Sequence, residues 1–263
     1  MTDAIELLAR EWHAAGIEQG DLMLMHSSLR RTLRRTMRAS GQRVSPADIL
    51  ESFRIAVGPD GTLLFPLFNF DFIRGVPFDI RTTPSQMGTL TEVARVHPDA
   101  VRTGHPIYSF AVLGAQQELF RDVDNFSGYG ADSPFAILHR NGGKIGVLDL
   151  PDQDSMTFYH YVEESKAIDY RFHKTFTAGY TDLAGVSGPR TYGLFVRDVD
   201  RGVQTDVDGM GELLWAQRLY NGDRPGEGSG FRKIRSVDLF NAVAAIIDQG
   251  RAEGLLYNTG GRT

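Results

Sequence analysis

The sequence predicts an α/β fold: a single domain over residues 1–263 with a mixed central sheet flanked by helices, plus an antiparallel C-terminal addition. Three observations carry this prediction. Short apolar runs alternate with amphipathic stretches through the first 165 residues, as strands covered by helices do. Ser45-Pro46 and Ser133-Pro134 each place an N-cap before a proline at the first helical position. Thr/Tyr/Phe-rich stretches at 172–181 and 190–197 lie outside that alternation and read as antiparallel strands. A small subdomain around 168–232 is the one internal division expected.

Taken in order, Asp3 caps a first helix carrying Ile5, Leu7, Leu8 and Trp12, and Leu22 to His26 (LMLMH) forms a buried strand. Ser45 opens a helix running to Gly58, and Thr62 to Pro66 (TLLFP) is the next strand. Ser85 is expected to cap a helix through Arg95, and a strand starts at Ile107. After the helix at Ser133, an apolar strand from Lys144 runs to Leu150, and a further helix opens at Asp154 or Ser155. The glycine-rich run from Asn221 to Gly230 reads as a loop.

At 263 residues with 41% hydrophobic content, the chain can bury one sizeable core. With 28 Lys and Arg against 33 Asp and Glu, its net charge of −5 argues against nucleic-acid or anionic-membrane partners and favours a cationic substrate. The absence of cysteine excludes disulfides, zinc-thiolate sites and a cysteine nucleophile, and fits a reducing cytoplasmic location. The opening MTDAIELLAREWHAAG reads as an amphipathic acidic pattern, so no export signal is expected, and with no run of about 18 apolar residues no membrane span is expected.

The most informative segment for chemistry is DSMTFYHYVEE, Asp154 to Glu164, at the end of an apolar strand. On a helix, Thr157, His160 and Glu163 share one face, bringing a hydroxyl, an imidazole and a carboxylate together. A carboxylate beside an imidazole is expected to hold one tautomer and raise its pKa, suiting it to take a proton from an amine. Such a pair also occurs on solvated helix faces, with His partly buried and Glu at the surface. No second Glu-x-x-His supports a di-metal site, and no metal is expected. The hydroxyls of His26-Ser27-Ser28-Leu29 follow a buried strand, where they suit either a ligand's amides and phosphates or a helix N-cap. Arg30, Arg31, Arg34, Arg35 and Arg38 then form a basic run that either holds phosphate or stays solvated. Arg102-Thr103-Gly104-His105-Pro106 leads into Tyr108-Ser109. Serine-hydrolase elbow, phosphate-loop and dinucleotide-binding glycine motifs are absent.

Five ordered blocks make most of the chain resemble the aminoglycoside 3-N-acetyltransferase, or antibiotic N-acetyltransferase, family. They are GDLMLMHSSL, GTLLFPLFN, TTPSQMGTLTEVARVHPDAVRTGHPIYSFAVLGA, YGADSPFAILHRNGGKIGVLDL and SMTFYHYVEE. The resemblance implies acetyl-CoA as co-substrate and direct acetyl transfer to an amine on a small-molecule acceptor. It implies His160 as general base, Glu163 as its support and Thr157 as a stabiliser of the oxyanion or thiolate. His26, Ser27, Ser28, Leu29, Arg102, Thr103 and Ser109 correspond to CoA-contacting positions. The arginine run replaces the family's usual glycine-containing turn, which keeps a biosynthetic or nucleotide-linked aminosugar open as acceptor. A non-catalytic CoA-binding protein, a metal-dependent hydrolase and a homodimeric assembly also stay open.

Overall fold

Alternation along β1 (Leu22–Ser27) buries the strand on both faces. In the computed structural model, which describes residues 4–260, Leu22 and Leu24 join one hydrophobic cluster while Met23 and Met25 join another. Helix α1 (Ala4–Ala14) precedes β1, and α2 (Arg30–Ser40) and α3 (Pro46–Val57) lead from it to β2 (Thr62–Pro66). The chain continues through β3 (Phe78–Asp79), α4 (Thr89–Arg95), β4 (Val101–Arg102), β5 (Phe110–Gly114), α5 (Pro134–Arg140), β6 (Lys144–Leu148) and α6 (Phe158–Ser165). The hairpin β7 (Arg171–Thr181) and β8 (Ser187–Arg197) follows, then β9 (Val203–Thr205), α7 (Asp208–Ala216) and β10 (Asn221–Gly222). β11 (Phe231–Arg235), α8 (Ser236–Asp248) and β12 (Tyr257–Thr259) complete the described residues.

The central sheet has the order β10-β11-β6-β1-β2-β5-β4. β6, β1 and β2 are parallel, while β11 and β5 flank them antiparallel, so the sheet is mixed. On one face Trp12 of α1 stacks on Phe53 of α3 at 4.6 Å, and its Nε1 donates to Ser52 Oγ at 2.8 Å. On the other face Phe110, Phe135 and Phe158 pack edge to face beneath α5 and α6. The β7–β8 hairpin pairs with β3 in a three-stranded sheet of its own and does not extend the central one. Among the described residues no helix is long and apolar enough to cross a membrane.

Both Ser-Pro starts hold. Ser45 Oγ accepts from Asp48 N while the Asp48 carboxylate accepts from Ser45 N, a reciprocal cap, and Ser133 Oγ accepts from Ala136 N. The Asp3 cap lies outside the described residues. Elsewhere tertiary contacts displace the expected boundaries. α4 starts at Thr89, not at Ser85, whose hydroxyl pairs with Thr91 and whose N–H reaches the Glu92 carboxylate. The strand expected from Ile107 begins at Phe110, because the N–H groups of Ile107 and Tyr108 turn toward the buried His105 Nδ1 at 3.2 and 3.0 Å. Asn221 and Gly222, expected in a loop, pair with β11 as a short edge strand.

Candidate active site

Carboxyl ends of parallel strands form crevices where a sheet's connections diverge, and β1 and β6 meet at such a point. β1 connects onward to β2 on one side, while β6 lies on its other side with Ser27 opposite Leu148. Ser28 N donates to Leu148 O at 2.8 Å. The Ser27 and Ser28 hydroxyls, half-buried here, make no hydrogen bond among the described residues. His26 is buried with Nε2 unpartnered, and burial, aided by the nearby Arg232 guanidinium, pushes its pKa down to about 3. Leu29 belongs to the core beneath them.

Past β6 the chain turns at Asp149 into a single helical turn at Asp152–Asp154, so α6 begins at Phe158 and not at Asp154 or Ser155. Asp152 explains the delay. Its buried carboxylate accepts from Arg232 Nη2 at 2.8 Å, Tyr220 OH at 2.7 Å and Tyr159 OH at 2.5 Å. Tyr159 immediately precedes His160, so this network anchors the first turn of α6. Gly211 makes room for it, since a Cβ there would stand 2.6 Å from Asp152 Cγ.

One turn into α6, His160 Nδ1 meets Glu163 Oε2 at 2.7 Å. The His160 side chain is 18% exposed and Glu163 only 1%, so the glutamate is buried and not at the surface. Arg171 Nε, at the start of β7, pairs with the same Oε2 at 2.8 Å, and Tyr170 OH donates to Oε1 at 3.0 Å. Arg171 is itself held by Phe195 O and Thr205 Oγ1. Tyr129 packs edge-on against the imidazole at 5.3 Å. Among the described residues His160 Nε2 and the half-buried Thr157 hydroxyl make no hydrogen bond.

The electrostatics differ from the sequence expectation in one respect. Burial and the Arg171 charge lower the His160 pKa below 6.5, outweighing the upward pull of Glu163. Glu163 is held below 4.5 because Arg171 and His160 overcome its burial. The site therefore contains a neutral imidazole at neutral pH, oriented by an ionised carboxylate. Arg171, Tyr170 and Asp152 escaped the sequence reading. An arginine opening a strand rich in aromatic and hydroxylic residues was the available signal.

The other predicted residues lie elsewhere. Arg102 is on β4, separated from β1 by β5 and β2. Its guanidinium donates to Ile80 O, Thr83 O and Ser109 Oγ, and Thr103 Oγ1 accepts from Phe110 N. These three side chains are hydrogen-bonded within the fold, and among the described residues none of them forms a hydrogen bond or ion pair with His160. His105, buried beside them, has its pKa lowered to about 4 by burial. The arginine run lies on α2, where Arg35 forms a two-point pair with Glu11 at 2.6 Å and Arg31 donates to Gly228 O.

Comparison of the chain with known proteins points to one family. Residues 24–222 match the aminoglycoside 3-N-acetyltransferase family. Aminoglycoside N(3)-acetyltransferase VIII of Streptomyces fradiae is 30% identical over 223 residues, covering 74% of this chain and 72% of that protein. The fold is that of AAC-IIIb in binary complex with CoASH, with a TM-score of 0.79 at 21% identity over 98% of both chains. It is also that of AAC-VIa bound to sisomicin, with a TM-score of 0.77 at 19% identity over 96% of this chain and 100% of that one.

Two predictions follow from the charge arrangement. Arg171→Met should destabilise the protein by about 3–5 kcal/mol in urea unfolding, because it strands the Glu163 carboxylate in the interior; a loss near zero would show that Arg171 does not neutralise it. Stability should also fall as pH drops from 6.5 toward 4. The unfolded chain takes up protons there that buried His26 and His105 refuse, at up to about 1.4 kcal/mol per pH unit for each. A flat profile over this window would contradict the neutral buried imidazoles.

Proposed function

The chain belongs to the aminoglycoside 3-N-acetyltransferase family, and from that premise we propose that it transfers an acetyl group from acetyl-CoA directly to an amine of an aminoglycoside, with His160 as general base. The observation that carries this reading is the 2.7 Å contact between His160 Nδ1 and Glu163, which leaves Nε2 free toward the acceptor. Bound acetyl-CoA supplies a thioester carbonyl to the attacking amine. His160 Nε2 takes the amine's proton, and Glu163 stabilises the imidazolium that results. Arg171 keeps Glu163 ionised through the cycle. The Thr157 hydroxyl, three residues before His160, donates to the carbonyl oxygen or the departing thiolate in this proposal.

Ser27, Ser28 and the unpartnered His26 Nε2 fit the donor side, since the amide and phosphate groups of CoA need hydrogen-bonding partners of this kind. Support for the aminoglycoside acceptor comes from the curated relatives' activity and from the net charge of −5. A nucleotide-linked aminosugar is the second acceptor class, favoured by the groove lined by Arg31, Arg34, Arg35 and Arg38.

Acetyl-CoA-dependent thiol release against 2-deoxystreptamine aminoglycosides and simple aminosugars tests the reading. His160→Ala should lower kcat roughly 10²–10⁴-fold while CoA still raises the melting temperature. Unchanged turnover in this variant would remove His160 from the chemistry, and turnover confined to aminosugars would move the acceptor to the second class.

A further inference from the structure

Beside the site stands a carboxylate that the fold leaves without a cation. Glu163 is answered by Arg171, and Asp152 by Arg232. Glu164 is half-buried, and among the described residues no Lys, Arg or His forms an ion pair with it. Its Oε2 accepts from Ser127 Oγ at 2.8 Å, and its Oε1 has no hydrogen bond. Ser127 is itself fixed by its bridge to Gly193 of β8. Burial pushes the Glu164 carboxyl above its ordinary 4.5, with Asp132 adding to the shift and Ser127 and His173 opposing it. The carboxylate thus has one neutral hydrogen-bond donor and no ion-paired cation to offset its partial burial.

Its place on α6 sets Glu164 one turn beyond His160. His160 and Glu164 are four residues apart, so they share a helix face at a spacing of about 5–6 Å between Cβ atoms. Aminocyclitol rings carry amines on alternate carbons, a span comparable to that spacing. We propose that Glu164 receives a second ammonium of the acceptor while His160 deprotonates the first, selecting acceptors that carry two or more neighbouring amines. The Ser127 hydrogen bond aims the carboxylate and leaves Oε1 for the ligand. This inference rests on the acetyltransfer reading above.

The test compares wild type, Glu164→Gln and Glu164→Asp on a 2-deoxystreptamine aminoglycoside and on glucosamine, which has one amine. Loss of a charged hydrogen bond predicts that Glu164→Gln lowers kcat/KM for the aminoglycoside relative to glucosamine by about 10–100-fold, chiefly through KM. Glu164→Asp should restore part of the loss. The KM for acetyl-CoA should stay within about twofold in both variants. An equal change on both acceptors, or a lowered melting temperature accompanied by an equal loss on both, would assign Glu164 a structural role and overturn the proposal. Wild-type silence on both acceptors would instead overturn the acetyltransfer reading, an outcome distinct from wild-type turnover that Glu164→Gln leaves unaltered.

Discussion

Glu163 carries a charge that burial alone would expel. Moving an ionised carboxylate into a protein interior costs several kcal/mol, so the charge persists only where partners surround it. At 1% exposure, Glu163 has three: the His160 imidazole, the Tyr170 hydroxyl and the Arg171 guanidinium. The division of labour among them matters for chemistry. Because Arg171 supplies the compensating positive charge, His160 is released from supplying it and stays neutral. A histidine paired with a lone glutamate would instead be drawn toward its protonated form, which cannot act as a base.

Holding that arrangement requires α6 and β7 to stay in register, and the fold does this from both sides. Asp152, gripped by Arg232, Tyr159 and Tyr220, ties the start of α6 to β11 at one end of the central sheet. Arg171 ties Glu163 to β8 through Phe195 O and to β9 through Thr205. Two buried carboxylates, each with its own arginine, thus set the position and the orientation of one short helix. The helix follows β6 after a short turn, and β6 pairs with β1 so that Ser27 stands opposite Leu148.

Much of this was legible from local patterns, and the misses share a physical cause. Strands such as Thr62–Pro66 and helix starts such as Ser45-Pro46 follow from residues adjacent in sequence, and they appear as expected. The shared face of Thr157, His160 and Glu163 follows from helical geometry in the same way. Ser85 failed as a cap because Thr91 and Glu92 claim it, and Ile107 failed as a strand start because His105 draws its N–H inward. The direction of the His160 shift was misjudged for a related reason. Arg171 is eight positions beyond Glu163 and outside α6, so no helical periodicity connects them; only the turn into β7 brings its Nε to the carboxylate.

The central claim is that His160 is a neutral base with its proton on Nδ1 and its lone pair on Nε2. Nitrogen-15 NMR of histidine-labelled protein, followed across pH with Glu163 intact and then as Gln, reads both properties at once. The account predicts a neutral His160 protonated at Nδ1, with a midpoint below 6.5 that falls further in Glu163→Gln, where the upward pull of the carboxylate is gone. A neutral form protonated at Nε2, or a wild-type midpoint above 6.5, would contradict it.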